Sequence, residues 1–549
     1  MKALAAHRLE VAIFVFVFGL AAYFYNGYNW NQTARYDAIW AFVEPGPHQH
    51  TFEIDAFVVD PDAGLNTGDF ARNPDHSPHY YSNKAPGTTL MGVPAYLVLY
   101  HAERMLGLDP VSITGVLVNA YLINLWVTVL PVALSAVFFF HLALVFTRER
   151  RRALLLTFTL YAGTLMLPFS TALWGHTTAA AFLVMAMACL VRPGRRGDML
   201  CGLLVGCAVL TDYGAAPVAL TLVVVTLFDE ERRARLGAVL LGGLGPLLVF
   251  ALYHASLFGS PFVLASSFSP PGMIGEDRIF GLFGAVNLRA VWGLTLSGSR
   301  GMFVYMPVLI LSVYALRHAR GADPRAFWRT AVATMLLVFV INTTFNGWHG
   351  GLSSGPRYQI IALPFYVLLL ALLPEIRRVR NALCVLTTLS FTNMFVVAAV
   401  SPMAPDAFRG SPLLFCYAKL WDVLRIDLGL APAPVGGPLS RGSLHFYAHY
   451  PMRDWAISLT DPLIARYASF NLGELLLGLS GTASLLPALI GVFLMTAWMS
   501  RMTRPEDPPG GPRPLARHAP AGGDGGSSGP RAVTLPSAGD PATLGEREL

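Results

Sequence analysis

Charged residues are scarce in this sequence. Only 13% of the 549 residues are Asp, Glu, Lys or Arg, about half of the roughly 25% that is usual in a soluble domain. Hydrophobic residues make up 54% of the chain, and they gather in runs of about 20 residues separated by short charged loops. This composition excludes a soluble enzyme and predicts an all-α, polytopic integral membrane protein.

Segments of alternating polarity are also lacking. A membrane β-barrel is built from strands of about ten residues in which apolar and polar side chains alternate. The apolar runs here are longer and continuous. A barrel is therefore excluded, and helices remain as the way to satisfy backbone hydrogen bonds in lipid.

Lysine and cysteine are rare. The formal net charge of +6 comes almost entirely from arginine, because the chain has only three lysines. The arginines mostly flank the apolar runs, so their charge indicates membrane topology and argues against a nucleic-acid partner. The five cysteines show no spacing typical of a disulfide framework or of a cysteine metal site.

Twelve apolar segments are predicted as membrane spans. They lie near residues 9–28, 113–146, 153–170, 173–191, 198–211, 215–229, 235–256, 302–318, 327–345, 359–373, 381–400 and 475–500. Arginines cluster after every second span, at 148–152, 192–196, 232–235, 317–329 and 377–380. By the positive-inside rule both termini are predicted to be cytoplasmic. The long loops then fall on the outer face, at 29–112, 257–301, 346–358 and 401–474.

The chain is predicted to divide into a membrane domain and a tail. Residues 1–500 carry the spans, and the first outer loop, 29–112, carries most of the candidate functional residues. Residues 501–549 contain nine prolines and nine glycines with almost no aliphatic pattern, which predicts a disordered cytoplasmic tail. The apolar run after Arg8 lacks a small-residue cleavage site and is interpreted as an uncleaved first span.

The first outer loop begins with an apolar stripe at helical spacing. The stripe consists of Tyr36, Ile39, Trp40 and Val43. It predicts an amphipathic helix over residues 33–44 that lies on the membrane surface. Arg35 and Asp37 flank the stripe and would reach the level of the lipid phosphates. The alternative is that both charges simply face water.

A single lysine stands near the end of the same loop. Lys84 precedes Pro86-Gly87 and the apolar segment 88–105, in a chain that otherwise uses arginine. A lysine held by such a turn at the entrance of a membrane segment is a candidate for pairing with a phosphate. The alternative is a lysine whose charged end reaches water at an interface.

A glycine-rich segment, 346–358, forms another outer loop. Its glycines allow a close approach of the backbone, and the guanidinium of Arg357 can bind a phosphate through two hydrogen bonds. Trp348 and Tyr358 are predicted to bracket this cation, which favours a sugar or headgroup site over a plain flexible turn. Arg300, outside the eighth span, is a further cation that either binds phosphate or fixes its span at the interface.

Histidines in the first outer loop raise the question of a metal. His48 with His50, and His76 with His79, have spacings at which a metal can be held, but no HExxH frame accompanies them. We assign no metal ligand from the sequence. A divalent cation held by carboxylate oxygens stays open.

The order of these motifs resembles the GT-C glycosyltransferases. These polytopic enzymes take a sugar from a polyprenyl-phosphate donor on the outer face of a membrane, and they include the aminoarabinose transferases and the protein O-mannosyltransferases. The resemblance covers about residues 9–400. It depends on Arg35-Tyr36, Asn83-Lys84-Ala85-Pro86-Gly87, Gly355-Pro356-Arg357-Tyr358, Ser299-Arg300-Gly301 and Phe258-Gly259-Ser260-Pro261.

One departure concerns the catalytic base. Many relatives place an acidic pair just ahead of the arginine-tyrosine pair, where this chain has Asn31 and Gln32, and neither can accept a proton. If the resemblance holds, the base comes from elsewhere in the first outer loop. Asp55 and Asp69 are the leading candidates, with Asp37 as the third.

The resemblance also implies roles for other residues and a location. The expected phosphate ligands are Arg35, Lys84, Arg357 and Arg300, and the expected substrate-binding residues are Tyr36, Tyr81, Trp348, His349 and Tyr358. The expected partners are a polyprenyl-phosphate-linked sugar and an acceptor hydroxyl on a glycan, lipid or protein of a bacterial cell envelope, at the inner membrane. The alternative is a non-catalytic protein that binds lipid phosphate, such as a flippase or a transporter.

Overall fold

The fold is given by a computed structural model. It describes residues 7–27, 29–57, 67–191, 194–228, 230–270, 274–275, 278–319, 322, 325–403, 410–432 and 469–503. The predicted tail lies outside the described residues from position 504 onward. The same holds for residues 433–468, which make up about half of the predicted outer loop 401–474.

Helices dominate the described part of the chain, which confirms the all-α prediction. The first eleven are α1 Arg8–Tyr23, α2 Trp30–Val43, α3 Gly87–Met105, α4 Ile113–Asn124, α5 Leu130–Thr147, α6 Arg150–Ala162, α7 Met166–Ser170, α8 Gly175–Leu190, α9 Arg195–Thr211, α10 Ala216–Leu227 and α11 Glu230–Phe258. The others are α12 Leu288–Thr295, α13 Met302–Tyr305, α14 Ile310–Ala319, α15 Arg325–Thr344, α16 Leu363–Leu369, α17 Arg377–Val400, α18 Pro412–Asp427, α19 Leu472–Leu477 and α20 Leu486–Met502. A π-helical stretch, Leu125–Val129, joins α4 to α5.

Short 3₁₀ turns and strands complete the structure. The turns are Tyr213–Ala215, Ala265–Phe268, Pro307–Leu309, Arg357–Ala362, Leu370–Leu372 and Gly481–Leu485. The strands are β1 Phe24–Asn26, β2 Phe70–Ala71, β3 Tyr81–Ser82 and β4 Ser469–Asn471. β1 pairs antiparallel with β4, and β2 pairs antiparallel with β3 inside the first outer loop. The β2–β3 pair brings the two ends of residues 70–82 together.

Each predicted span contains helix, but the count of twelve is not confirmed. Five helical stretches among the described residues are long and apolar enough to cross a membrane: Ile113–Thr147, Arg233–Phe258, Phe327–Thr344, Arg377–Val400 and Gly481–Met502. Other predicted spans are shorter or interrupted. Near Pro307, for example, helix α13 ends and a 3₁₀ turn leads into α14, because proline lacks the backbone N–H that a continuous helix needs.

Contacts join the basic loops to one another. Arg152 donates to the carboxylate of Glu375 at 3.1 Å and to the carbonyl oxygen of Leu370 at 3.1 Å, and Arg235 donates to Asp198 at 2.9 Å. These residues belong to loops that the arginine pattern assigns to one face of the membrane. That this face is cytoplasmic stays a prediction.

Two glycines allow α9 and α11 to pack backbone to backbone. A methyl group at Gly202 would collide with the carbonyl oxygen of Val239, and one at Gly242 would collide with the carbonyl oxygen of Met199. Small residues at such crossings let helices approach closely in lipid, where dispersion contacts replace the hydrophobic effect. The sequence signals nothing here beyond two glycines within apolar helices.

We expect Gly202→Ala to destabilise the protein by about 1–3 kcal/mol, since the added methyl forces α9 away from α11. The thermal unfolding midpoint of the detergent-solubilised protein should fall. Gly237→Ala, also on α11, is the matched control because its methyl would meet nothing within 4 Å. Equal midpoints for the two variants would contradict the close crossing.

Candidate functional site

Helix α2 carries the first candidate cation. The side chain of Asn29 accepts a hydrogen bond from the N–H of Asn31 at 3.0 Å and caps the helix. Nearly every residue from Asn31 to Val43 is buried, Arg35 and Asp37 included. The helix is therefore confirmed, but its predicted surface position is wrong, and so is the alternative in which the charges face water. Both faces of α2 pack against protein.

Arg35 is held by neutral partners. Its Nε donates to the Thr88 hydroxyl at 2.9 Å, and its Nη1 donates to the backbone and side-chain oxygens of Asn31. Burial lowers the pKa of Arg35 to about 10, although Asp212 and Asp69 raise it. The guanidinium is thus charged at neutral pH. The neutral side chain of Asn31 orients the guanidinium without neutralising its charge.

Lys84 forms an ion pair with Asp69. The Lys84 Nζ lies 2.8 Å from a carboxylate oxygen of Asp69, and their side chains are 18% and 17% exposed. The β2–β3 pair brings them together, because Asp69 precedes β2 and Lys84 follows β3. Burial lowers the pKa of Lys84 to about 8, and Asp69 opposes that shift. Burial alone would raise the pKa of Asp69, but Lys84 and two arginines outweigh it and keep that pKa below its ordinary value.

Arg357 lies between two aromatic rings. Its guanidinium carbon is 5.1 Å from the centre of the Trp174 ring and 5.0 Å from that of Tyr358. Tyr358 therefore brackets the cation as predicted, but the second ring is Trp174. The Nη2 atom donates to the Tyr358 hydroxyl at 3.0 Å. The buried Nε atom has no hydrogen-bond partner among the described residues.

Three segments that lie next to the cations approach one another closely at Gly87 and Gly175. A methyl group at Gly175 would lie 3.2 Å from Nη2 of Arg35 and 2.6 Å from the carbonyl oxygen of Thr211. One at Gly87 would lie 2.6 Å from the Thr211 hydroxyl. These close approaches bring the start of α3, the start of α8 and the end of α9 to one place, which we call the cation site.

The charges at the cation site affect one another. Burial is the main cause that lowers the pKa of Arg35 and of Lys84, and the charge of Arg357 lowers both further. Among the described residues, the carboxylates whose charges raise the pKa of Arg35 or Lys84 are Asp212 and Asp69, fewer than the three cations. This excess of positive charge makes an anion the expected ligand of the cation site.

A histidine and an aspartate that the sequence analysis did not select also lie here. Nδ1 of His176 is hydrogen-bonded to a carboxylate oxygen of Asp212, whose second oxygen accepts the N–H of Gly214 at 2.8 Å. Nε2 of His176 is buried and has no hydrogen-bond partner among the described residues. In the sequence, the only sign of this pair is that His176 and Asp212 stand in the two short loops 174–178 and 211–214 between apolar spans.

Arg300 lies beside the glycine-rich loop. Its Nε donates to the carbonyl oxygen of His349 at 2.6 Å, its Nη1 donates to that of Ser299 at 2.9 Å, and its Nη2 donates to that of Gly351. The guanidinium thus uses its hydrogens to hold the loop that precedes Arg357. His349 itself is exposed, and its Nδ1 accepts the N–H of Gly351 at 3.0 Å.

Three of the predicted substrate-binding aromatics contact other parts of the fold. The Tyr36 hydroxyl donates to the carbonyl oxygen of Ala120 at 2.9 Å. The Tyr81 hydroxyl is 3.0 Å from that of Ser77. The ring of Trp348 occupies the space that a side chain at Gly293 would need. These contacts are those of packing residues.

The other two predicted bases have different surroundings from Asp69. Asp55 accepts the N–H of Tyr80 at 3.0 Å and is 2.8 Å from Nδ1 of His79. Asp37 is completely buried on α2. Asp69, by comparison, forms an ion pair with Lys84, a cation of the site.

Two solved structures are similar to this chain. Both are crystal structures of ArnT from Cupriavidus metallidurans, one bound to undecaprenyl phosphate and one in the apo state. Their sequences are 15% and 16% identical to this chain, and the matches cover 91% and 92% of it and 78% of each ArnT chain, with a TM-score of 0.43 in both. No family model and no curated protein matches the chain.

At this level of identity and TM-score the similarity carries no functional detail. The functional argument depends on the side chains of this chain.

Proposed function

We propose that this chain is a membrane glycosyltransferase that moves a sugar from a polyprenyl-phosphate donor to an acceptor hydroxyl. The observation that carries the proposal is the convergence of Arg35, Lys84 and Arg357. Their segments are far apart in sequence, yet all three contribute to one cation site. Buried cations are costly unless anions compensate them, and a lipid phosphate is an anion that reaches a membrane protein from the bilayer.

Each cation suits a different part of phosphate binding. The Arg357 Nε has no hydrogen-bond partner in the described part of the chain and can donate to a phosphate oxygen. Lys84 is a compact charge that can exchange Asp69 for the phosphate. Arg35 is fixed by Thr88 and Asn31 and stabilises the anion mainly through its charge. Arg300 positions the glycine-rich loop for Arg357.

His176 is the general base that the geometry favours. Its Nε2 atom has no hydrogen-bond partner among the described residues. Asp212 is hydrogen-bonded to Nδ1 and so determines which nitrogen accepts a proton. An imidazole can take up a proton at one ring nitrogen and release it again, which is what proton transfer requires. Asp69 is the second candidate, since exchange of Lys84 to the phosphate would free its carboxylate. Its lowered pKa makes it the weaker base before the donor binds.

The reaction then balances without a separate acid. The acceptor O–H gives its proton to Nε2 of His176 while its oxygen attacks the anomeric carbon of the sugar. The bond between that carbon and the phosphate oxygen breaks, and the electron pair leaves with the phosphate. The three cations stabilise the charge that develops there.

The proposal includes a location and has one rival. The arginine pattern predicts that the cation site faces outward and that both termini are cytoplasmic, and the motif resemblance implies a bacterial inner membrane. The acceptor belongs to a glycan, a lipid or a protein of the cell envelope. The alternative function is that of a flippase or transporter that uses the same cations without a base. The Nε2 atom of His176, which has no hydrogen-bond partner among the described residues, favours the enzyme.

The first prediction concerns phosphate binding. Replacing Arg35, Lys84 or Arg357 with Ala should weaken binding of undecaprenyl phosphate by about 1.5–3 kcal/mol each, the scale of a hydrogen bond to a charged group. That is about 10- to 150-fold in Kd, measured with radiolabelled lipid and detergent-solubilised protein. Double variants should be non-additive. Arg289→Ala, at an exposed arginine, is the control, and an equal loss in it would argue for unspecific binding.

The second prediction concerns pH. The pKa of Lys84 is lowered to about 8, so the amine is charged below that pH and neutral above it. If binding requires the charged form, affinity for undecaprenyl phosphate should fall about tenfold between pH 7 and pH 9. Lys84→Arg stays charged over this range and should abolish the fall. A flat wild-type profile, or the same fall in Lys84→Arg, would contradict the assignment.

The third prediction separates catalysis from binding. His176→Asn keeps a donor toward Asp212 but removes Nε2, so turnover should fall by a factor of about 10² to 10⁴ while lipid binding is retained. Turnover is measured in membranes with a panel of radiolabelled polyprenyl-phosphate sugars.

Asp69→Asn is the informative comparison. Normal turnover in His176→Asn together with a large loss in Asp69→Asn would transfer the role of base to Asp69. Lipid binding by the wild type with no transfer from any donor of the panel would favour the flippase or transporter.

A further inference from the structure

Four metal-ligating side chains meet in the first outer loop. They are His48, Glu53, Asp55 and His79, and one ligand atom from each lies within 4.8 Å of the others. Nδ1 of His48 is 2.8 Å from Glu53, and Nδ1 of His79 is 2.8 Å from Asp55. Nε2 of His79 is 3.8 Å from Glu53, so the two pairs form one cluster.

We propose that this cluster binds one divalent transition-metal ion of the Zn²⁺ class. The site is separate from the cation site and does not depend on the proposed glycosyl transfer. It uses His48 and His79 with two carboxylates. The sequence spacing had instead paired His48 with His50 and His76 with His79.

The distances suit a metal. Ligand atoms of a tetrahedral zinc ion, each about 2.0 Å from the metal, are about 3.3 Å from one another. The two histidine–carboxylate hydrogen bonds are shorter than this, at 2.8 Å, and Nε2 of His79 is farther from Glu53, at 3.8 Å. One ligand atom from each of the four side chains lies within 4.8 Å of the others, so side-chain rotations can bring them to the spacing of a zinc site. His79 can give one ring nitrogen to the ion and keep the other beside a carboxylate, which is how ligating histidines hold their ring orientation.

The donor chemistry selects the class of metal. Mg²⁺ and Ca²⁺ prefer oxygen ligands throughout, whereas two imidazoles with two carboxylates suit Zn²⁺ and its neighbours among the first-row metals. The four side chains are 20–39% exposed, so an ion can enter from solvent.

The negative charges of Glu53 and Asp55 also favour a bound cation. In the part of the chain that the structure describes, no lysine or arginine forms a salt bridge with Glu53 or Asp55. The nearby Arg72 instead lies over the Tyr80 ring, 5.2 Å from its centre. Among the described residues, two carboxylates therefore converge here without a lysine or arginine paired to them. A bound dication would compensate the charges of these two carboxylates.

The backbone already holds the ligands in position. The N–H of Ile54 donates to the carbonyl oxygen of Tyr80 at 2.8 Å, and the N–H of Tyr80 donates to Asp55 at 3.0 Å. These bonds join the segment around residues 53–55 to residues 79–80. Because these hydrogen bonds already hold the ligands near one another, binding of an ion would cost little conformational entropy of the chain. The ion would also link residue 48 to residue 79.

Two other histidines of the loop are outside the cluster and serve as controls. Nε2 of His76 is 2.9 Å from the carbonyl oxygen of Ser256, and the ring of His50 packs against Phe42. Their replacement removes an imidazole from the same loop without removing a proposed ligand.

The test is metal content of the full chain. Detergent-solubilised protein is stripped with a chelator, incubated with Zn²⁺, desalted and analysed by inductively coupled plasma mass spectrometry. We expect one Zn²⁺ per chain in the wild type, His50→Ala and His76→Ala. We expect at least a tenfold loss in the double variant His48→Ala/His79→Ala. Equal content in this variant and the wild type, or no stoichiometric zinc in the wild type, would overturn the proposal and leave two histidine–carboxylate hydrogen bonds.

A second measurement covers variants that do not fold. Co²⁺ is added to the stripped wild type, and its visible absorption is recorded during titration. Saturation at one equivalent with a four-coordinate spectrum, reversed by Zn²⁺, supports the site. A spectrum identical to Co²⁺ in buffer overturns it. Neither readout uses lipid or sugar transfer, so a failure of the glycosyltransferase proposal would leave this result unaffected.

Discussion

The structure depends on keeping three cationic side chains charged while they are withdrawn from water. Burial lowers the pKa of Arg35 and of Lys84, and only carboxylates, aromatic faces and oriented dipoles oppose that effect. Lys84 has Asp69, and Arg357 has two aromatic rings. Each compensation is partial, which is the reason for proposing an anion as the ligand of the cation site.

Close backbone packing makes this arrangement possible. Gly87 and Gly175 both lie against Thr211, so three helix ends reach one point without side chains between them. The same contact brings the His176–Asp212 pair next to the cations, because His176 follows Gly175 and Asp212 follows Thr211. The proposed base and the cation site are thereby held at helix ends, and rigid elements of this kind position reacting groups precisely.

The first outer loop combines several local constraints. Its β2–β3 pair positions Lys84 beside Asp69, and hydrogen bonds around Tyr80 position Asp55 beside His79. Packing on both faces also accounts for the wrong prediction for α2. An apolar stripe predicts which side of a helix faces a core, but it does not predict that polar residues on the other side will meet a second protein surface.

The sequence by itself determined the membrane class, the positions of the helices and the candidate cations, because hydropathy, periodicity and rare residue types are local properties of a chain. Only the tertiary structure decided which of these residues meet. It brought Arg357 to Trp174 instead of Trp348, His48 to His79 instead of His50, and His176 to Asp212 at a place that had no motif. The partner of a buried charge is selected by desolvation and packing between segments that are distant in sequence, and no local pattern records that selection.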